Sequence, residues 1–371
     1  MTTVLVTGAK GFIGKNLCLA LKRDPDISLF EYDVDSEISI LEDAVGKAVV
    51  IFHLAGINRP EKVEDFEVGN HGFTITLLDL IKKSGNKPVI AITSSTQALL
   101  DNPYGASKRL AENEICAFGQ ESGAPVYIYR LANVFGKWCR PFYNSVIATF
   151  CHQAAHNQPL RVDDPTKEID FIYIDDIVRE LSSLLQKDHK TVPDKLYSIQ
   201  PVYKKSLGDI SKLLDRFSKV KFGEPLPDFS DEFQKKLYST YLSYLEKSSL
   251  VYSADKKSDN RGYLYELLKT DTAGQIFVSR TLSGITRGNH YHDSKVEKFC
   301  VVDGSARISF RSMISGEIFF FDVEGTECKV VDIPPGFTHN IKNTGTHDLL
   351  TLFWVNEVFN ADKPDTYFSE V

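Results

Sequence analysis

The chain has 371 residues, 42% hydrophobic and 25% charged, an ordinary globular composition that is too long for one hydrophobic core, so two or three domains are expected. A net charge of −7 without any dense Lys/Arg run argues against a nucleic-acid or anionic-membrane partner, because phosphates are held by basic patches, and favours small-molecule chemistry. No apolar run reaches the roughly 18 residues of a membrane span, no charged-then-apolar leader is present, and the six cysteines (18, 116, 139, 151, 300 and 328) form no CxxC pair, so free thiols and a cytoplasmic location are expected.

Residues 3–7 form a short β-branched apolar run that turns at once into Gly8-x2-Gly11-x2-Gly14, ahead of a helical stretch over 15–23. This is the strand, turn, helix order that a dinucleotide pyrophosphate needs: glycines admit the phosphates close to the backbone, and the helix start supplies free N–H groups. Gly8, Lys10, Gly11, Phe12, Ile13 and Gly14 are therefore candidate cofactor contacts. A second strand over 28–32 ends in Asp33, about where a ribose-binding acid is expected. Strands over 48–53 and 88–93 lead into Ala55-Gly56 and Ser94-Ser95, with helices between, which implies a parallel doubly wound α/β sheet. Asp33 would repel a 2′-phosphate, whereas Lys10 and Arg59 could pair with one, so these residues leave NAD and NADP both open.

Tyr104 and Lys108 follow the 88–93 strand end and open a helix on which they share one face. A lysine there is expected to favour the phenolate, and a phenol so tuned can exchange a proton with a carbonyl oxygen while hydride moves to its carbon. A serine hydroxyl nearby, Ser95 or Ser94, can hydrogen-bond the same oxygen.

These residues resemble the extended short-chain dehydrogenase/reductase family, the branch of nucleotide-sugar epimerases, dehydratases and reductases. The resemblance covers residues 1 to about 245 and takes in Arg130-x5-Gly136 and Asp170-x5-Asp176. It implies a Rossmann-like domain with Ser95, Tyr104 and Lys108 as catalytic residues, Tyr104 and Lys108 also touching the cofactor. Apolar residues at helical spacing over 228–246 predict an amphipathic helix closing this domain at 246, and the polar run 255–262 reads as an exposed stretch at the start of a second domain over 252–371.

In that second domain Gly284-x5-His290-x-His292-x4-Glu297-x6-Gly304, followed by Pro334-x-Gly336-x2-His339-x3-Asn343, gathers three imidazoles and a carboxylate at metal-ligand spacing. His290 and His292, two apart, would point from one face of a strand, and Glu297 and His339 can reach the same point from neighbouring strands. The pattern resembles the two cupin motifs and implies an all-β jelly-roll barrel binding a divalent metal. The glycine that usually opens the second motif would fall at Cys328 or Lys329. Arg287-x2-His290 is also similar to a run in metal-free deoxysugar 3,5-epimerases, where the histidine is the base. His290 is thus ligand or base; as a ligand it leaves Lys295, Lys298 or a metal-bound water to remove the proton.

A short extended reductase fused to a metal-type cupin resembles a bifunctional family of capsular polysaccharide synthesis. That resemblance implies C3 epimerisation of a UDP-2-acetamido-2,6-dideoxy-4-hexulose in the cupin domain. NADPH-dependent C4 reduction to UDP-2-acetamido-2,6-dideoxy-L-talose would follow, on the route to UDP-N-acetyl-L-fucosamine. It also implies zinc, NADP(H) and a homodimer joined through cupin domains. The competing readings are a 4-ketosugar reductase whose cupin only binds ligand or dimerises, and an NAD(P)-sensing regulator; the intact Tyr104 and Lys108 speak against the latter.

Overall fold

The computed structural model describes residues 1–59, 62–186, 189 and 196–371. It divides into two compact units, residues 1–212 with 239–244 and residues 213–238 with 245–371. The helix expected over 228–246 spans Glu232–Leu242, its first turns counted in the second unit and its end in the first.

The first unit carries a six-stranded parallel sheet in the order Ile27–Tyr32, Thr2–Thr7, Val50–His53, Val89–Ser95, Val126–Leu131, Leu196–Tyr197. Its strands are apolar on both faces because helices cover both. Alternate residues divide between two cores. Val4, Val6, Val50, Phe52 and Ala91 pack with Leu17, Leu21, Ile177 and Leu181, while Leu5, Ile51, Ile90 and Ile92 pack with Leu41, Leu77, Ile81 and Ile115. The strand order reverses between Thr2–Thr7 and Val50–His53, and the crevice at their carboxyl ends is where such a sheet binds ligands. The Pro103–Ser122 helix enters on an Asn102 cap, whose side chain accepts the Gly105 N–H at 2.8 Å, and ends on left-handed Gly123. This is the expected Rossmann-like doubly wound fold.

From residue 256 on, the second unit is built from antiparallel strands in two sheets. One runs Lys256–Asp259, Gly262–Thr270, Gly274–Thr281, Leu349–Val355, Glu297–Asp303, Val330–Ile333; the other runs Ile318–Glu324, Ser305–Ser312, Phe337–Asn343, Thr286–Tyr291, Tyr367–Phe368. Phe299, Val301, Ile308, Phe310, Ile341 and Phe353 fill the space between them, giving the expected cupin jelly roll. The polar stretch over 255–262 is largely exposed, as expected, but it also carries a strand. Lys256–Asp259 pairs with Gly262–Thr270 as a hairpin whose first strand is exposed throughout, so burial supplied no apolar alternation to read.

All six cysteines are free thiols. Cys328 adopts φ 49°, so the turn that usually uses a glycine keeps its left-handed backbone with a side chain in place, at a cost of about 1–2 kcal/mol. Its Sγ lies 3.4 Å from Cys300 Sγ. Cys328→Gly should therefore stabilise the second unit by about 0.5–1 kcal/mol, net of the larger unfolded-chain entropy of glycine, seen as a higher denaturant midpoint.

Candidate active site and metal centre

In the first unit the Thr2–Thr7 strand ends in Gly8 at φ 69°, and the helix Phe12–Leu21 starts on Gly11 with no side-chain cap and no acid in its first turn. Its N–H groups are left for an anion. The glycines are required sterically: a Cβ on Gly14 would fall 2.1 Å from Gly8 O, and one on Gly8 would fall 2.7 Å from the Ala55 backbone. A cavity of about 510 Å³ is lined here by Gly8, Lys10, Gly11, Phe12, Ile13 and Gly14, and by Gly56, Ser95, Tyr104 and Lys108. Ala55 backs the Gly-rich turn rather than lining the cavity. Asp33 lies beside it, its carboxylate accepting the N–H groups of Lys10 at 2.7 Å and Val34 at 2.8 Å, and Lys10 Nζ pairs with Asp35.

The two candidate serines have different surroundings. Ser94 is buried and its Oγ donates to Glu112, which also receives Nε and Nη2 of Arg130 at 2.9 and 2.6 Å. Ser95 faces the cavity, hydrogen-bonds the Tyr104 phenol and accepts the Gln97 N–H at 3.2 Å. Of the two serines, Ser95 is thus the one beside the phenol and the cavity. The phenol differs from expectation: burial pushes its pKa up, only partly offset by Ser95. Lys108, which was expected to lower it, instead directs Nζ to Thr93 O at 3.4 Å. Burial brings Lys108 itself down to about 8, against the pull of Glu112.

Sequence reasoning missed Asn70. It sits in a π-helical turn, Glu67–Gly72, with its side chain bonded to both backbone groups of Ile57 and to Ser107 Oγ. It thereby fixes the segment after Gly56 against the Lys108 helix, and no spacing announces it. Trp138, Arg140 and Tyr143 also line the cavity; their only signal was an aromatic and basic cluster just beyond Gly136.

In the second unit His290 lies directly opposite His339 on adjacent strands, after an irregularity at left-handed Asn289. Glu297 opens a strand of the other sheet, and His292 follows the His290 strand. One ligand atom from each of His290, His292, Glu297 and His339 lies within 4.8 Å of the others. His339 Nε2 is 3.1 Å and His292 Nε2 3.4 Å from Glu297 Oε2, and His292 Nε2 is buried without a hydrogen-bond partner. Burial lowers His290 to about 4, helped by His339, so its imidazole is neutral near pH 7. Burial opposes charge on Glu297, but His292 and His339 outweigh it and bring the carboxyl to about 2. A carboxylate, a neutral imidazole and an orphaned imidazole nitrogen converging on one point suit a divalent metal.

Of the candidate bases, Lys298 is exposed and paired with Asp332, away from this point. Lys295 is buried, with Nζ donating to Pro364 O at 2.5 Å. Arg287 is directed to Thr281 Oγ1 at 3.1 Å and toward Asp259.

A family model described as the NAD dependent epimerase/dehydratase family matches residues 4–199. The chain belongs to this family. A second model, the polysaccharide biosynthesis C-terminal domain, matches residues 257–367. Over 368 residues this family member is 40% identical to the UDP-2-acetamido-2,6-beta-L-arabino-hexul-4-ose reductase of Pseudomonas aeruginosa, covering 99% of this chain and 98% of the relative. The capsular polysaccharide assembling protein CapF of Staphylococcus aureus is 44% identical with a TM-score of 0.91, over 99% of this chain and 100% of that one. A structure of CapF with the inhibitor 3-isopropenyl-tropolone is 39% identical with a TM-score of 0.87, over 100% of both chains. The resemblance read from the sequence, a reductase fused to a cupin, agrees with these findings.

Two outcomes are expected in this family member's first unit. Lys108 is charged below and neutral above about pH 8, so affinity for a pyridine nucleotide, followed by fluorescence titration, should fall as pH rises through that value. Glu112→Ala leaves the Arg130 guanidinium without its carboxylate in a largely buried site and should cost about 3 kcal/mol, read as a lower melting temperature.

Proposed function

We propose that the chain is a bifunctional nucleotide-sugar enzyme. Its cupin epimerises C3 of a UDP-2-acetamido-2,6-dideoxy-4-hexulose, and its first domain, over 1–246, then reduces C4 with NADPH. The product is UDP-2-acetamido-2,6-dideoxy-L-talose, on the route to UDP-N-acetyl-L-fucosamine for capsular polysaccharide. The observation that carries this reading is that one chain brings two sets of candidate residues together, each in its own domain. Ser95, Tyr104 and Lys108 line one cavity, and four metal-type ligands converge in the cupin over 252–371. Identity to a hexul-4-ose reductase along nearly the whole chain supports it.

At the first site the nicotinamide supplies hydride to the carbonyl carbon. Tyr104 gives its phenolic proton to the C4 oxygen, and burial, which keeps that phenol protonated, suits it to act as the acid. Ser95 hydrogen-bonds the same oxygen, and Lys108 places an ammonium in the cavity wall. Gly8, Gly11 and Gly14 leave room for the cofactor pyrophosphate. Lys10 and Arg59 are the cations for a 2′-phosphate, and Asp33, already holding two backbone N–H groups, is the group that opposes it.

At the second site the ketone acidifies the hydrogen on C3, and its removal and return from the opposite face inverts that centre. A divalent ion, zinc by the resemblance, would supply Lewis acidity there. His290, His292, Glu297 and His339 would hold it. The structure of CapF with the inhibitor 3-isopropenyl-tropolone, a compound class whose adjacent hydroxyl and ketone oxygens can chelate a divalent metal, is in keeping with a metal-dependent enzyme. The UDP-sugar is the small-molecule partner, with the enzyme acting in the cytoplasm. A homodimer would form through the cupin, whose edge strand Ile318–Glu324 exposes Ile318, Phe320 and Phe321. Among the described residues no helix is long and apolar enough to cross a membrane.

The test is to incubate the protein with a UDP-4-keto-6-deoxy-N-acetylhexosamine in deuterated buffer and follow the sugar by NMR. Deuterium should enter C3 without NADPH, and a C4 alcohol should appear only with it. Tyr104→Phe should lower reduction about 10²–10⁴-fold and leave exchange intact. His339→Ala, or metal removal by a chelator, should abolish exchange. Reduction that persists with no exchange in any form would reduce the enzyme to a reductase whose cupin binds ligand or dimerises.

A further inference from the structure

The four ligands do not hold themselves in place. His292 stands just outside the strand Thr286–Tyr291, and the residues joining it to Glu297 form a loop without strand pairing. We propose that Asp365, near the C-terminal end of the chain, is a positioning residue of the metal centre: its backbone carbonyl fixes the His292 ring, and its carboxylate gathers the loop between His292 and Glu297. This inference rests on the metal-binding reading of the cupin site.

The backbone contact is His292 Nδ1 to Asp365 O at 2.5 Å. A carbonyl oxygen only accepts, so Nδ1 carries a proton and is committed to Asp365, which leaves Nε2 as the nitrogen of this ring that can face a metal. Nε2 is also the nitrogen that is buried without a hydrogen-bond partner and faces Glu297 Oε2. The same residue therefore holds Nδ1 away from the metal point and aims Nε2 toward it.

The carboxylate acts on the loop. Its Oδ1 accepts the Asp293 N–H at 2.9 Å, and its Oδ2 accepts the N–H groups of Ser294 and Lys295 at 3.0 and 2.8 Å and the Ser294 hydroxyl at 3.0 Å. Three consecutive backbone donors thus converge on one side chain. Pro364 O adds a contact to Lys295 Nζ at 2.5 Å. Asp365 takes a left-handed backbone, φ 40°, which a non-glycine residue adopts at a cost; the four hydrogen bonds to its carboxylate offset that cost and hold the carbonyl toward His292. Loss of the carboxylate releases both the loop and the carbonyl.

Outer partners of metal-bound histidines typically contribute 10- to 100-fold in affinity. In the full-length protein, zinc affinity is measured by competition with a chromogenic chelator, and ligand geometry by the visible spectrum of the cobalt(II)-substituted form. Asp365→Ala should weaken zinc binding 10- to 100-fold and alter the cobalt spectrum, with stoichiometry still one ion per chain, which distinguishes a misplaced ligand from a collapsed domain. Asp365→Asn, keeping one accepting oxygen, should lie between the alanine variant and the parent. Equal zinc affinity and an identical cobalt spectrum in Asp365→Ala would overturn the role of Asp365 while leaving the metal site intact. A parent protein that takes up no ion would overturn the metal reading and this inference with it.

Discussion

A carboxylate buried at the heart of an apolar barrel is the constraint around which the second unit is arranged. Glu297 is 9% exposed, and removing its charge from water is unfavourable unless positive charge or hydrogen-bond donors replace the solvent. Three imidazoles converge on it, from two strands of the opposite sheet and from the loop after one of them. The sheets must therefore be held in a register that sets His290 beside His339 and brings Glu297 across from both. Phe299 and Phe353, packed at 4.5 Å in a T-shaped arrangement, together with the other core residues, supply the rigidity. The same packing that holds the barrel together keeps water from satisfying Glu297 and leaves that task to the three imidazoles.

The first unit handles a buried charge differently. Lys108 lies almost wholly inside the protein, with Glu112 one helical turn further on, and Glu112 is itself neutralised by a two-point contact from Arg130. Ser94 completes this group from the Val89–Ser95 strand. The network ties that strand to the Pro103–Ser122 helix and to the neighbouring Val126–Leu131 strand, fixing where Ser95, Tyr104 and Lys108 stand relative to the Gly-rich turn. Two adjacent serines thus separate into one that holds the scaffold and one that faces the cavity.

Much of this was legible in the sequence. Apolar runs alternating with helical stretches set the doubly wound sheet, because strands covered on both faces have no polar side to show. The Gly8, Gly11 and Gly14 spacing was legible because backbone atoms approach within a distance no Cβ tolerates. The His290, His292, Glu297 and His339 frame was legible because few other uses bring those residue types together inside Gly and Pro turns. The hairpin at 256–270 was not, since an exposed edge strand carries no hydrophobic alternation. Cys328 is an intermediate case: the missing glycine was visible, but only the backbone shows that the left-handed turn persists without it.

The sequence by itself determined the two fold classes, the Gly-rich turn and the identity of the convergent His and Glu residues, because each depends on local spacing or on steric limits at single residues. The tertiary structure decided the rest. Only packing shows that Ser94 serves Glu112, that burial raises the Tyr104 phenol while Lys108 turns to Thr93, and that Asn70 braces the segment after Gly56. Asp365 lies 73 residues from the histidine it contacts. These pairings link positions far apart in the chain through burial and directed hydrogen bonds, and neither composition nor periodicity encodes which distant donor meets which acceptor.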